Sequence, residues 1–171
     1  MKKYLLSIAI ILSAFFVNAQ DSLKTGKNFE FGIGLGAVGE MNNGGAGKVF
    51  GVGLSLQGEN HFSKQFSGFI SGGYNLLFST EGGGTLGFIP IQAGPRVYVN
   101  KNIFLGVGLG LGIIIGQGEA SGFSASGFSY FPQIGINSQK TQVIFGYNSV
   151  SLTKYGSVTD GFLDLKIVFK L

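Results

Sequence analysis

The chain runs to 171 residues with 31 glycines, 12% charged residues, no cysteine and a mean hydropathy of +0.35. A soluble surface ordinarily draws on about 25% charged residues, so a water-exposed domain fits poorly, and the missing cysteine removes disulfides, thiolate metal sites and a lipoprotein anchor. The formal charge of +4 lies partly on Lys2 and Lys3, and no Lys/Arg cluster is interleaved with aromatics, which sets nucleic acid aside as a partner.

Met1-Lys2-Lys3 is a positive start, Tyr4 to Val17 an almost unbroken apolar run, and Val17-Asn18-Ala19 a small-residue exit. Together they describe a secretory signal peptide over residues 1–19, cleaved after Ala19, with residues 20–171 as one mature domain. The run falls short of the roughly 20 apolar residues that a spanning helix needs. Beyond Val17 no stretch of that length is free of glycine and polar breaks. Ile103 to Ile115 carries Gly at 106, 108, 110 and 112, a spacing that suits a pleated strand and not a helix. High apolarity, low charge and no spanning helix leave a closed barrel, the other structure that satisfies its backbone in lipid.

Period-two alternation can be followed along the mature chain. The first segment sets Phe29, Phe31, Ile33, Leu35 and Ala37 against Glu30, Gly32, Gly34 and Gly36. The second sets Phe50, Val52, Leu54 and Leu56 against Gly51, Gly53, Ser55, Gln57 and Glu59. In the third, Phe66, Ile70, Tyr74, Leu76 and Phe78 oppose Ser67, Phe69, Ser71, Gly73 and Asn75. In the fourth, Ile89, Ile91, Ala93, Val97 and Val99 oppose Gln92, Gly94, Arg96 and Tyr98. The fifth is the clearest, with Ile103, Leu105, Val107, Leu109, Leu111, Ile113 and Ile115 on one face. A sixth, near Phe128 to Asn137, is interrupted by Pro132, and a seventh, Gln142 to Ser149, is short. The eighth sets Leu163, Leu165, Ile167, Phe169 and Leu171 against Phe162, Asp164, Lys166, Val168 and Lys170.

Eight segments give the even strand count of single-chain bacterial barrels. The links alternate as well. Ser63-Lys64-Gln65, Asn100-Lys101-Asn102 and Ser138-Gln139-Lys140 are tight and polar, while 40–48, 79–85, 117–126 and 150–160 are longer and Gly-rich. The predicted fold is all-β: an eight-stranded antiparallel up-and-down transmembrane barrel with short periplasmic turns and longer extracellular loops. In a lipocalin-like soluble barrel the aliphatics would point inward, and one strand alone would bring more of them than an eight-stranded lumen accepts. Aliphatics therefore face lipid, and glycine and polar groups face a narrow interior. By the same alternation Gly110 should tolerate a small side chain far better than Leu109 tolerates a charge.

Phe88-Ile89-Pro90-Ile91-Gln92-Ala93-Gly94-Pro95-Arg96-Val97-Tyr98, followed by Lys101-Asn102-Ile103-Phe104-Leu105-Gly106-Val107-Gly108, resembles the central hairpin of the small outer-membrane β-barrel domain family, also labelled porin family. That family is related in architecture to OmpA and OmpX. The resemblance covers about Phe29 to Leu171 and implies a Gram-negative outer-membrane location, lipid as the surrounding partner and no cofactor. It also implies passage through the barrel-insertion machinery, whose signal is a final strand alternating up to a terminal aromatic. Here Leu171 stands at that position, with Phe169 two residues before it.

Glycine runs such as Gly106 to Gly112 lie within a strand, and a phosphate-binding loop needs a strand leading into a helix. Their expected role is to make room for inward Phe69, Phe88, Tyr98, Phe104, Phe131 and Phe162. The lone histidine, His61, lies beside a short turn and reads as rim-exposed, with no Ser/Asp pair to join it and no carboxylate at metal-ligand spacing. Catalytic, cofactor-binding and metal residues are accordingly none. Glu30, Glu59, Arg96 and Lys170 turn inward near the periplasmic ends of their strands, and charges in a narrow lumen are costly unless paired. They form the expected lumen ion-pair cluster. The sequence thus reads as a non-enzymatic structural or surface-interaction barrel. The alternatives are a narrow channel for ions or small solutes and, last, an outer-leaflet lipid-modifying enzyme. The Gly, Ser and Asn of the long links name no ligand.

Overall fold

The computed structural model describes residues 29–40, 49–79, 84–117, 122, 124–152 and 158–171. The signal segment and most of the four longer links lie outside the described residues. Eight strands follow in order: β1 (Phe29–Glu40), β2 (Val49–His61), β3 (Phe66–Ser79), β4 (Thr85–Tyr98), β5 (Ile103–Gln117), β6 (Ser124–Asn137), β7 (Thr141–Leu152) and β8 (Val158–Lys170). Each pairs antiparallel with its neighbours in sequence, and β1 pairs with β8 from Gly32↔Lys170 to Glu40↔Phe162, which closes the barrel.

Alternation explains the two faces. Leu35, Leu54, Leu56, Leu109, Leu111, Ile134, Phe145 and Leu165 all project outward, Leu54 with 59% of its surface uncovered. The inner face is buried, and all six aromatics expected there (Phe69, Phe88, Tyr98, Phe104, Phe131 and Phe162) are at most 5% exposed. A water-soluble barrel inverts this arrangement. An apolar outer wall around a filled interior suits lipid as its solvent.

The short turns form because their polar side chains replace missing ladder bonds. Ser63 Oγ accepts from the backbone N–H of Gln65 and Phe66 at 3.2 and 3.0 Å. Asn100 Oδ1 accepts from Asn102 and Ile103 at 2.9 and 2.8 Å. In the third turn the Ser138 N–H donates to Thr141 O at 2.8 Å.

Three expectations need correction. First, the later strands reach further than the sharp alternation does: β6 starts at Ser124, β7 ends at Leu152 and β8 starts at Val158. Their outer ends mix Ser, Thr, Gly and Asp with single aliphatics, so the two-faced signal fades there, yet the ladder runs on through them. Second, Pro132 does not interrupt β6. It falls in a gap of the β6–β7 ladder between Tyr130↔Ser149 and Gln133↔Gly146, while Val107↔Pro132 holds on the other edge. Pro90 and Pro95 of β4 occupy corresponding gaps against β3 and β5. Each proline turns its missing donor to a single edge, so one strand loses a rung and the register is kept. Third, Gly110 is not a tolerant position. A Cβ there would run into the Ile91 carbonyl oxygen, a backbone atom of the neighbouring strand.

The interior is filled in layers. Toward the long-link end, Val38, Leu77, Phe88, Ile114, Ala125, Val150, Leu152 and Phe162 form one apolar cluster. Toward the short turns, Tyr98, Phe104, Phe131, Ile144 and Val168 form a second. Gly112 shows how glycine makes this possible: a Cβ would come within 2.7 Å of Val150 and 3.0 Å of Phe88.

Candidate functional site

Arg96 is the centre of the half of the lumen nearer the short turns. Alternation in β4 turns it inward, and Gly106 on β5 leaves space for its stem, since a Cβ at that glycine would sit 2.8 Å from Arg96 Cγ. Only 1% of Arg96 is exposed. Its Nη1 donates to Glu59 Oε2 at 2.6 Å and Gln142 Oε1 at 3.2 Å, and its Nη2 donates to Gln57 Oε1 at 2.8 Å and Gln133 Oε1 at 2.9 Å. The rings of Phe69 and Phe104 lie 4.2 and 4.5 Å from the guanidinium carbon, within cation–π range.

Glu59 is equally well held. Oε1 accepts from Ser67 Oγ at 2.5 Å and Tyr98 Oη at 2.7 Å, while Oε2 accepts from Arg96 and from Gln142 Nε2 at 2.8 Å. Gln57 Nε2 donates to Gln142 Oε1 at 2.7 Å and completes a network spanning five strands. Glu30 lies nearer the opening, where Lys170 Nζ stands 2.7 Å from its Oε2. Of the four residues read from sequence as a cluster, the structure therefore forms two adjacent pairs: Arg96 with Glu59, and Lys170 with Glu30. A third pair, Lys166 with Asp164 at 2.8 Å, lies deeper, with Lys166 Nζ 4.8 Å from the centre of the Phe131 ring.

Alternation names inward residues but not their partners across the barrel. Gln133 and Gln142 were missed for this reason, since β6 read as broken and β7 as short. Above the ionic layer, Gln92 Nε2 donates to Ser129 Oγ at 2.7 Å and Asn148 Oδ1 at 2.9 Å, a second polar layer that was also missed. The space beside Gly36, Gly53, Ser55, Asn75, Pro90 and Lys166 leaves no room for a water molecule.

His61 departs most from its reading. Its side chain is half-buried at 24% exposure, and Nε2 lies 3.8 Å from both Glu30 and Glu59. The β1–β2 register (Glu30↔Glu59) and the β2–β3 register (His61↔Ser67) bring together acids and a hydroxyl that are far apart in sequence. The Glu30, Glu59 and His61 ligand atoms lie within 4.8 Å of one another, so the expectation of no histidine–carboxylate grouping is corrected. Both carboxylates are engaged by cations, however, and a divalent ion would stand beside Arg96 and compete with Lys170. Nor is the connectivity that of an activated nucleophile, because the Ser67 hydroxyl donates to Glu59 and not to His61.

No protein-family model and no curated protein matches this sequence. Its fold does match solved structures. Ail, the attachment invasion locus protein of Yersinia pestis, superimposes with a TM-score of 0.61 at 17% identity over 84% of this chain and 97% of that one. Neisserial surface protein A gives a TM-score of 0.56 at 12% identity over 84% and 97%. The N-terminal barrel of Pseudomonas aeruginosa OprF gives 0.51 at 8% over 84% and 98%. The chain has the fold of the small eight-stranded outer-membrane barrels.

Proposed function

We propose that the protein is exported with cleavage of residues 1–19 and acts in the outer membrane as a closed, non-catalytic barrel. Its role is structural or one of surface interaction, carried by the four longer links. The supporting observation is the filled interior: an apolar cluster, a Gln92–Ser129–Asn148 layer and the Arg96–Glu59 network succeed one another along the axis. Side chains packed and hydrogen-bonded in this way oppose solute passage, which ranks the channel reading below the structural one.

The absence of cysteine allows a clean test. Single variants Ser121→Cys and Lys101→Cys are labelled on intact cells with a membrane-impermeant maleimide. Ser121→Cys should react, and Lys101→Cys should react only after the outer membrane is opened. In parallel, proteoliposomes in small sugars should swell no faster than protein-free ones. Labelling of Lys101→Cys on intact cells would contradict the orientation, and fast swelling would favour the channel.

A further inference from the structure

Each of the three short turns carries one lysine and no acid: Lys64, Lys101 and Lys140. All three are exposed, and among the described residues none makes an ion pair. The carboxylates nearest this rim, Glu30 and Glu59, point inward and are neutralised by Lys170 and Arg96. Among the described residues, the side chains of the three turns therefore present uncompensated positive charge although the lumen beneath them is balanced.

The turns are also held in place as a ring. Tyr98 N–H donates to Gln65 O at 2.8 Å, Asn137 N–H to Asn102 O at 2.5 Å, and Lys170 N–H to Lys140 O at 2.9 Å. Each turn is thus tied to the end of the strand that pairs with its outgoing strand (β4, β6 and β8), and Leu171 N–H closes the circuit on Phe31 O at 2.9 Å. Turns this short and this tied stay close to the ends of the strands. Each lysine follows an exposed apolar residue by two to four positions in the chain: Phe62 before Lys64, Val99 before Lys101 and Ile136 before Lys140. An apolar residue that ends the lipid-facing wall, followed by a lysine whose stem can lie along it, puts the ammonium at headgroup depth.

We infer that Lys64, Lys101 and Lys140 form a headgroup-binding ring that selects anionic phospholipid in the periplasmic leaflet. The inference rests on the membrane-spanning reading proposed above. An acidic wall polymer offers the same charge, but the apolar collar favours lipid, because a wall-binding surface gains nothing from exposed Phe62 and Val99. A lysine at an anionic surface contributes roughly a fivefold preference, so three acting together produce a readable enrichment.

The full mature chain is refolded into nanodiscs containing phosphatidylcholine and phosphatidylglycerol at three to one, then extracted gently, and the co-purifying lipid is quantified. The wild type should retain phosphatidylglycerol at about twice its bulk share or more at low salt. The Lys64→Gln/Lys101→Gln/Lys140→Gln variant should return to the bulk ratio, and the corresponding triple arginine variant should keep the enrichment. An unchanged ratio in the glutamine variant would overturn the ring while leaving the spanning barrel intact. Failure of the wild type to insert in either lipid would instead overturn the spanning reading and the ring with it. Lysine-dependent sedimentation with purified peptidoglycan sacculi, without lysine-dependent lipid enrichment, would reassign the surface to the wall and refute the lipid proposal.

Discussion

Replacing Arg96 by alanine removes four hydrogen bonds and one charge from a site that is 1% exposed. Glu59 keeps Ser67, Tyr98 and Gln142 but loses the only charged partner it has within 3 Å among the described residues, and Gln57 and Gln133 each lose the donor to their side-chain oxygen. Breaking a buried pair by removing one partner costs about 3–5 kcal/mol. We place Arg96→Ala in that range, because the neighbouring Phe69 and Phe104 rings offer no replacement donor. Arg96→Met with Glu59→Gln removes both charges and should recover most of the loss, as paired replacement of buried ions often does. Arg96→Lys should fall between, since an ammonium cannot serve four separated acceptors as the planar fork does. Urea titration of barrels refolded in lipid vesicles, followed by circular dichroism and by the gel shift of unheated samples, measures all three. Loss of under about 0.5 kcal/mol in Arg96→Ala, within the range of ordinary surface changes, would refute this reasoning. So would a double variant no more stable than the alanine one.

Leu109→Arg puts a charge on the outer wall and should cost roughly 2–4 kcal/mol if the site is near the bilayer midplane, read in the same titrations. Gly110→Ser should cost about 1–3 kcal/mol, as overpacking does, because its Cβ meets the Ile91 carbonyl; a neutral result would show that the β4–β5 contact is looser than described. Phe88→Ala empties the centre of the apolar cluster and should lose about 3–5 kcal/mol, with bound benzene or xenon as a direct probe of the cavity. N-terminal mass analysis of protein from outer membranes should find Gln20 first, and recovery of Met1 would contradict export by cleavage.

How far the fold could be read from sequence follows from what alternation contains. The Ile103 to Ile115 run gives face and period at once, because every second residue is a large aliphatic and most of those between are glycine. Period two also turns Arg96, Glu59, Glu30 and Lys170 toward the same side. The depth of Arg96 on the fourth strand predicts that it meets Glu30 or Glu59, but period two carries no shear and does not choose between them; closure sets Arg96 against Glu59 and Lys170 against Glu30. Gln57, Gln133 and Gln142 converge on Arg96 from strands 37 to 46 residues away, a meeting only the closed barrel supplies. His61 was misread for the same reason. Its surroundings come from β1 and β3, not from its neighbours in sequence. The reach of β6 past Pro132 was hidden because a proline breaks a ladder on one edge only, and sequence does not say which edge needs the donor.

The most direct test of a closed lumen is electrical. Purified mature protein, shown to be folded by its gel shift, is inserted into planar bilayers at neutral pH in 1 M potassium chloride. We predict no unitary conductance steps in the wild type across the voltage range the bilayer survives. Reproducible unitary steps from the folded wild type, lost when the protein is denatured, would contradict the closed barrel and establish a conducting path past Arg96 and Glu59.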